Sequence, residues 1–252
     1  MSRPEIRLAL VGAQGRMGQR LAALAADDPR LTVVASVDRD TAPLESCDPS
    51  VIDCVIDFSV RARVAGTAAF CGAHQIPLAL GTTGLEPADR AAVDLAAQQT
   101  PIVFAPNYSV GVNALFALAG ELATMLGPSF DLEVVESHHR HKVDAPSGTA
   151  RRLVEVLAES RGETYESAAR AERNGLIGPR TDREIGVSTV RGGDVVGEHT
   201  VYYLATGEQI SLTHRATDRD VFARGALRAA TWLSSPGRRP GRYDMLDVLR
   251  TP

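Results

Sequence analysis

Ile6-Arg7-Leu8-Ala9-Leu10-Val11-Gly12-Ala13-Gln14-Gly15-Arg16-Met17-Gly18-Gln19-Arg20-Leu21 starts as a short apolar run, passes through glycines, and continues as a helical pattern. In a strand–loop–helix of this kind Gly12 allows the tight turn, Gly15 lets backbone approach a pyrophosphate, and Gly18 lets the helix pack on the sheet. The helix N-terminus adds unpaired N–H groups and partial positive charge for phosphates. The spacing is G-x-x-G-x-x-G rather than the commoner G-x-G-x-x-G, and an ordinary glycine-rich turn fits the bare pattern too. Its context favours a dinucleotide, because Asp38 ends the next apolar run, Leu31–Val37. A carboxylate there accepts from the ribose hydroxyls of NAD, whereas the adjacent Arg39 suits the 2′-phosphate of NADP. The alternative for Asp38-Arg39 is an exposed charge pair at a strand end.

The same alternation continues downstream. Val51–Phe58, Pro77–Leu80 and Ile102–Phe104 are short apolar runs, separated by the alanine-rich stretches Ala62–His74 and Ala88–Gln99. Short buried strands joined by helices predict a parallel sheet covered on both faces, hence a doubly wound α/β domain of Rossmann type. After Asn107 the pattern changes. Val112–Leu126 reads as an apolar helix stopped by Gly127-Pro128. Leu132–Glu136 reads as a strand, and a helix is expected from about Ser147 to Ser160. Residues 161–182 are polar and read as an irregular surface excursion. Glu184–Val190, Val196–Leu204 and Gln209–His214 read as strands in direct succession, which predicts antiparallel neighbours in a smaller α+β domain. Asp220–Leu233 is an amphipathic helix that returns to the first domain. The expected boundaries are therefore 1–109 with 219–252 for the dinucleotide-binding domain, and 110–218 for the second.

With 252 residues the chain has room for one large or two small domains, at roughly 100–200 residues each. Its 27 basic and 31 acidic residues leave a net charge of −4, which offers no global basic field for nucleic acid. No apolar run approaches the roughly 18 residues of a membrane span, so a soluble protein is expected, and the N-terminus lacks a signal-peptide pattern. Cys47, Cys54 and Cys71 are odd in number and unpatterned, as expected of a reducing cytoplasm.

Glu136-Ser137-His138-His139-Arg140-His141-Lys142-Val143-Asp144-Ala145-Pro146-Ser147-Gly148-Thr149-Ala150 is the most unusual stretch. Three of the six histidines and a lysine fall within five positions. Zinc usually takes four suitably spaced ligands, and Arg140 and Lys142 would oppose a divalent cation, so no metal is expected. A polybasic surface loop is the plain alternative. However, the block runs into Ser147-Gly148-Thr149, a helix start whose hydroxyls and N–H groups suit a carboxylate. A basic cluster beside such a helix end points to an acidic substrate.

Gly12–Gly18, Gly81-Thr82-Thr83-Gly84, Ala105-Pro106-Asn107-Tyr108-Ser109-Val110-Gly111, Glu136–Ala150 and Arg191-Gly192-Gly193-Asp194-Val195-Val196-Gly197-Glu198-His199 together resemble the 4-hydroxy-tetrahydrodipicolinate reductase (dihydrodipicolinate reductase) family of lysine and diaminopimelate biosynthesis. The resemblance runs from about Ile6 to the C-terminal region, and residues 41–53 are short beside the longer members. It implies reduction of a cyclic dicarboxylated imine to tetrahydrodipicolinate with NADH or NADPH. Carried over, Gly12, Ala13, Gln14, Gly15, Arg16 and Met17 hold the pyrophosphate, Asp38 the ribose and Arg39 the 2′-phosphate. Gly81, Thr82 and Thr83 line the nicotinamide side, as do Ala105, Pro106, Asn107 and Tyr108. His138 is then the general acid/base and Lys142 a second proton donor. His139, Gly148 and Thr149 bind the substrate carboxylates; structural support of the loop is the alternative for His139 and the preferred reading of His141. The resemblance further implies a homotetramer assembled through the second domain.

Two other readings stay open at this point. One is a different NAD(P)-dependent reductase of an acidic imine or carbonyl, such as an amino-acid dehydrogenase. The other is a non-catalytic dinucleotide sensor, which leaves the histidine block without a purpose. Aspartate-semialdehyde dehydrogenase would require a nucleophilic cysteine; Cys54 and Cys71 read as core and Cys47 has no partnering motif.

Overall fold

Strand β1 (Ile6–Val11) is buried at Leu8, Ala9, Leu10 and Val11, so both of its faces are covered. Its side chains alternate between two cores, as a strand's period of two requires. Leu8 and Leu10 pack with Ile56, Leu21 and Ala226 on one side, and Ala9 and Val11 with Val55, Val64 and Ala68 on the other. Each such buried aliphatic side chain contributes about 1.5–3 kcal/mol relative to exposure. The computed structural model describes residues 5–250. They form two units, one running to Val110 and resuming at Asp220, the other Gly111–Arg219.

In the first unit β1 lies between β2 (Leu31–Val37) and β3 (Cys54–Asp57), parallel to both. The strands β4 (Leu78–Leu80), β5 (Pro101–Phe104) and β11 (Gly241–Tyr243) extend the sheet, also in parallel. The order is β2-β1-β3-β4-β5-β11. The chain reverses its direction of winding at β1/β3, and ligands of open α/β sheets bind at the carboxyl ends beside such a point. The helices are α1 (Arg16–Ala26), α2 (Arg61–His74), α3 (Pro87–Ala97), α7 (Asp220–Leu233) and α8 (Met245–Arg250). Helix α7 packs Ala223, Ala226 and Ala230 into the core that holds Leu8 and Leu10. Strand β3 is shorter than the expected Val51–Phe58, because Pro49–Val51 forms a 3₁₀ turn capped by Asp48. Neither β11 nor α8 was legible: three residues after Gly241 carry too little periodicity.

In the second unit β6 (Asp131–His138) is central. It pairs in parallel with β8 (Ile185–Arg191) and antiparallel with β9 (Gly197–Ala205), which pairs antiparallel with β10 (Glu208–Ala216). Helices α4 (Val110–Leu126) and α5 (Gly148–Glu159) contribute Leu115, Ala119, Leu153 and Leu157 to a core with Leu132, Val134 and Val201. The expectation of antiparallel succession holds for β9–β10 and fails for β8–β9. The connection from β8 to β9 passes over the end of β6: Gly192 N–H donates to His138 O at 3.0 Å and Arg140 N–H to Gly193 O at 3.2 Å. Two strands that succeed each other thus flank a third. Residues 161–182 are not wholly irregular either, since they contain the single turn α6 (Tyr165–Ala168) and the edge strand β7 (Ala169–Arg170) beside β8.

Helix α4, continued to Ser129, is long and apolar enough by composition to cross a membrane, contrary to the expectation of no such segment. Asn113, Gly120, Glu121 and Thr124 interrupt the apolar letters without bringing the average down. One side of this helix packs into the second unit's core through Leu115, Ala119 and Ala123.

Candidate active site

The carboxyl ends of β1, β3 and β4 are tied together by Phe58. Gly12 has φ +84°, and a Cβ there would lie 2.8 Å from Phe58 O; at Gly81 it would lie 2.3 Å from the Phe58 ring. At Gly18 a Cβ would stand 2.2 Å from Gly12 O and 2.6 Å from Ala13 O, so the start of α1 is pressed directly on the loop. The α1 N-cap, Gly15, provides no side-chain cap, and its first turn carries no acidic residue. This cradle, filled by any Cβ, fits a dinucleotide pyrophosphate.

Asp38 follows β2. Its carboxylate accepts from Gln14 N–H at 2.9 Å and Arg39 N–H at 2.8 Å. The Arg39 and Gln14 amides hold its pKa below the usual carboxylate value. An ionised carboxylate has about four acceptor positions, so two remain for ribose hydroxyls. The expected nicotinamide-side residues are divided in their duties. Gly81 and Thr83 sit at the end of β4. The Thr82 hydroxyl is buried and donates to Asp57 Oδ1 at 3.0 Å, alongside Ser59 N–H at 2.8 Å and the Ser59 hydroxyl at 2.6 Å. Ala105 is buried and Pro106 exposed. The Asn107 side chain accepts from Ser109 N–H at 2.9 Å. The Tyr108 side chain is buried, donates to Val103 O at 2.8 Å and packs 5.4 Å from the Phe58 ring, and its carbonyl is pressed against Gly225 of α7. Cys54 and Cys71 are buried with thiols pushed upward by desolvation, as core residues should be.

In the second unit, β6 alternates Leu132, Val134, Glu136 and His138 on its buried face. That face changes from apolar to ionisable at the strand's carboxyl end. His138 Nδ1 lies 2.5 Å from Glu136 Oε2. Glu136 is fully buried and also accepts from both Arg191 Nη atoms (2.8 and 2.7 Å), Ser147 N–H (3.0 Å) and the Thr189 hydroxyl (3.3 Å). Burial alone would raise the Glu136 pKa, but bonds from Arg191, His138 and Ser147 prevail and hold it low. Burial lowers the His138 pKa, with Glu136 opposing and Lys142 and Arg191 adding to the decrease.

Ser147 caps α5, its hydroxyl accepting from Ala150 N–H at 3.1 Å, and the same hydroxyl meets His199 Nε2 at 3.0 Å. Gly148 and Thr149 therefore occupy the first turn of α5, where N–H groups face outward from the cap. Lys142 is partly buried, with Nζ 2.8 Å from Asp144 Oδ1. His139 and His141 have ring centroids 6.3 Å apart, and His139 Nδ1 is buried without a hydrogen-bond partner. The structure thus gathers His138, Lys142, Gly148 and Thr149 around one network, while His139 and His141 stand beside it. Among the described residues no group of three or more His, Cys, Asp or Glu side chains is arranged to hold a metal ion. A groove of about 830 Å³ in the first unit, near Leu24, Arg30, Arg224 and Trp232, contains none of the expected site residues.

Glu136, Arg191 and His199 had no assigned role in the sequence reading. For Glu136 the signal was present: two positions before His138 on a strand is the same face. His199 is reached only by pairing, since β9 places it opposite Glu136. Burial lowers its pKa to about 4, with His138 adding to the shift. As pH falls, the unfolded chain takes up this proton near 6.5, whereas the folded chain waits until about 4. Stability present above the first value is therefore lost across that window, by on the order of 3 kcal/mol. His199→Gln should flatten this dependence, read as urea midpoints between about pH 7 and about pH 4.5. Equal pH slopes for variant and wild type would contradict it.

Family models described as "Dihydrodipicolinate reductase, N-terminus" and "Dihydrodipicolinate reductase, C-terminus" match residues 6–108 and 111–249. A 4-hydroxy-tetrahydrodipicolinate reductase of Myxococcus xanthus is 50% identical over 267 residues, covering 97% of each chain. One from Akkermansia muciniphila is 46% identical over 246 residues, covering 97% of this chain and 98% of its own. A dipicolinate-bound dihydrodipicolinate reductase structure from Paenisporosarcina sp. TG-14 shares the fold, with TM-score 0.75 and 22% identity over 95% of this chain and 97% of that one. The chain belongs to the dihydrodipicolinate reductase family.

Proposed function

We propose that the chain reduces 4-hydroxy-tetrahydrodipicolinate to tetrahydrodipicolinate with a nicotinamide cofactor, the 4-hydroxyl leaving as water, in lysine and diaminopimelate biosynthesis. One observation within the fold supports this most: His138, on its buried carboxylate, shares a network with Lys142 and the start of α5. In this reading the first unit, 1–109 with 219–252, binds the dinucleotide, and the second, 110–218, binds substrate and forms the oligomer. The cofactor, when bound, supplies a hydride. Gly12–Met17 hold its pyrophosphate and Asp38 its ribose. Gly81–Thr83 and Ala105–Tyr108 shape the nicotinamide side, with the Thr82 and Tyr108 side chains acting as internal supports.

His138 delivers the proton that quenches electron density left beside the reduced carbon, a role worth about 100- to 10,000-fold. Lys142 leaves Asp144 to meet the substrate's negative charge and to act as a second donor. Gly148 and Thr149, with His139, receive the carboxylates at the α5 N-terminus. A planar dianion, pyridine-2,6-dicarboxylate, tests this site. It should compete with the imine substrate and bind at least about 10-fold more weakly to Lys142→Ala. Unchanged binding in that variant would remove Lys142 from the site.

We further infer that both NADH and NADPH serve. Asp38 repels a 2′-phosphate by about 1 kcal/mol per charge pair at 4 Å in water and about 4 at an effective dielectric of 20. Arg39 and Arg16 oppose this with charge-assisted bonds of similar size. The kcat/KM values for the two cofactors should agree within about 30-fold, roughly 2 kcal/mol. Arg39→Ala should selectively weaken NADPH and Asp38→Ala NADH. A preference above about 1,000-fold would contradict the pairing. The reading extends to a cytoplasmic homotetramer; the family resemblance supports the assembly, and free Cys47, Cys54 and Cys71 support a reducing compartment.

A further inference from the structure

The geometry points to Glu136 and Arg191 as a positioning pair that fixes His138 in one tautomer and holds the Lys142 segment from the same guanidinium. The inference rests on the reading of His138 as the proton donor. Glu136 Oε1 accepts from Ser147 N–H, the Thr189 hydroxyl and Arg191 Nη2, and Oε2 from Arg191 Nη1 with His138 Nδ1 at 2.5 Å. An ionised carboxylate only accepts hydrogen bonds. The imidazole nitrogen facing it must therefore carry the proton, which leaves Nε2 as the atom through which His138 exchanges protons. Gly197 stands beside Nε2, and a Cβ there would come within 3.0 Å of it. A side chain at 197 would cover that nitrogen, so the absence of one keeps it accessible.

Arg191 does two further things. Bidentate pairing compensates the charge of Glu136, so the imidazole gains orientation from the carboxylate without a large increase in basicity. Arg191 Nη2 also donates to Asp144 O at 2.7 Å, and the Asp144 carboxylate holds Lys142 Nζ. One pair, a buried carboxylate and a partly buried guanidinium, thereby sets the placement of both proton-handling side chains. The charged or titratable groups facing His138 are Glu136 on its own strand, Arg191 from β8, Lys142 from the loop and His199 from β9, whose ring is 5.1 Å away. Their signs predict opposite responses. Removing the charge of Glu136 leaves Arg191 uncompensated and lowers the His138 titration, whereas removing Arg191 raises it.

The direct test uses the wild-type enzyme, so folding of a variant is not at issue. Long-range proton–nitrogen spectra above the imidazole titration should show His138 with Nδ1 protonated and Nε2 bare, the signal being assigned by its loss in His138→Gln. The Nε2-protonated tautomer would overturn the proposal. In variants, Glu136→Gln should lower kcat by at least about 10-fold with substrate KM changed less than about threefold, and lower the His138 midpoint by about one pH unit. Arg191→Met should move that midpoint the other way. Adding Glu136→Gln to His138→Gln should cost no more than about threefold further. A slow His138→Gln beside a Glu136→Gln of normal rate and midpoint overturns the positioning pair alone. Full turnover in His138→Gln overturns the reading of the site and the pair with it.

Discussion

His138→Gln is expected to lower kcat by at least about 10-fold while leaving the NADH dissociation constant nearly unchanged. The imidazole is the group on the buried face of β6 that combines a low pKa with a fixed partner. Glutamine retains the size and one hydrogen bond to Glu136 but has no exchangeable proton of suitable acidity. The effect therefore belongs to chemistry rather than to folding. The cofactor cradle is built from Gly12, Gly15 and Gly18 in the other unit, and nothing in it changes. Steady-state rates and fluorescence titration with NADH separate the two quantities. Near-normal turnover, or a loss confined to NADH binding, would remove His138 from the reaction.

Gly18→Ala should have a comparably large effect on the other half of the reaction. The added Cβ would meet Gly12 O at 2.2 Å and Ala13 Cα at 2.6 Å. Both are backbone atoms of the turn, and Gly12 is itself held at φ +84° against Phe58 O. None can yield without moving α1 away from β1. Overpacking of this kind costs about 1–3 kcal/mol or more, and the displaced loop can no longer present its N–H groups together. We expect the NADH dissociation constant to rise at least about 30-fold, roughly 2 kcal/mol, with a lowered melting temperature. Unaltered cofactor binding would show that the contact between helix and loop is dispensable.

The parallel sheet was legible because buried strands such as Leu8–Val11 are apolar on both faces, and the intervening helices are long enough to show their own period. The order of strands in the second unit was not. Chain succession suggested that β8 and β9 are neighbours, whereas long-range pairing inserts β6 between them. No local pattern encodes that choice. The same limit applied to the site. The histidine block announced itself by composition, but Arg191 and His199 reach it only through the register of β8 and β9 against β6. Tyr108 and Thr82 show the converse. Both lie in loops that the family resemblance assigns to the cofactor, yet their hydroxyls are spent on Val103 O and Asp57, inside the fold.

The central claim is substrate-dependent hydride transfer, and its most direct test is the oxidation of NADH and NADPH with enzymatically generated 4-hydroxy-tetrahydrodipicolinate. The account predicts loss of nicotinamide absorbance with either cofactor, stoichiometric with substrate, and strongly slowed in His138→Gln. Tight cofactor binding with no substrate-dependent oxidation would contradict it and would leave a dinucleotide sensor as the better description.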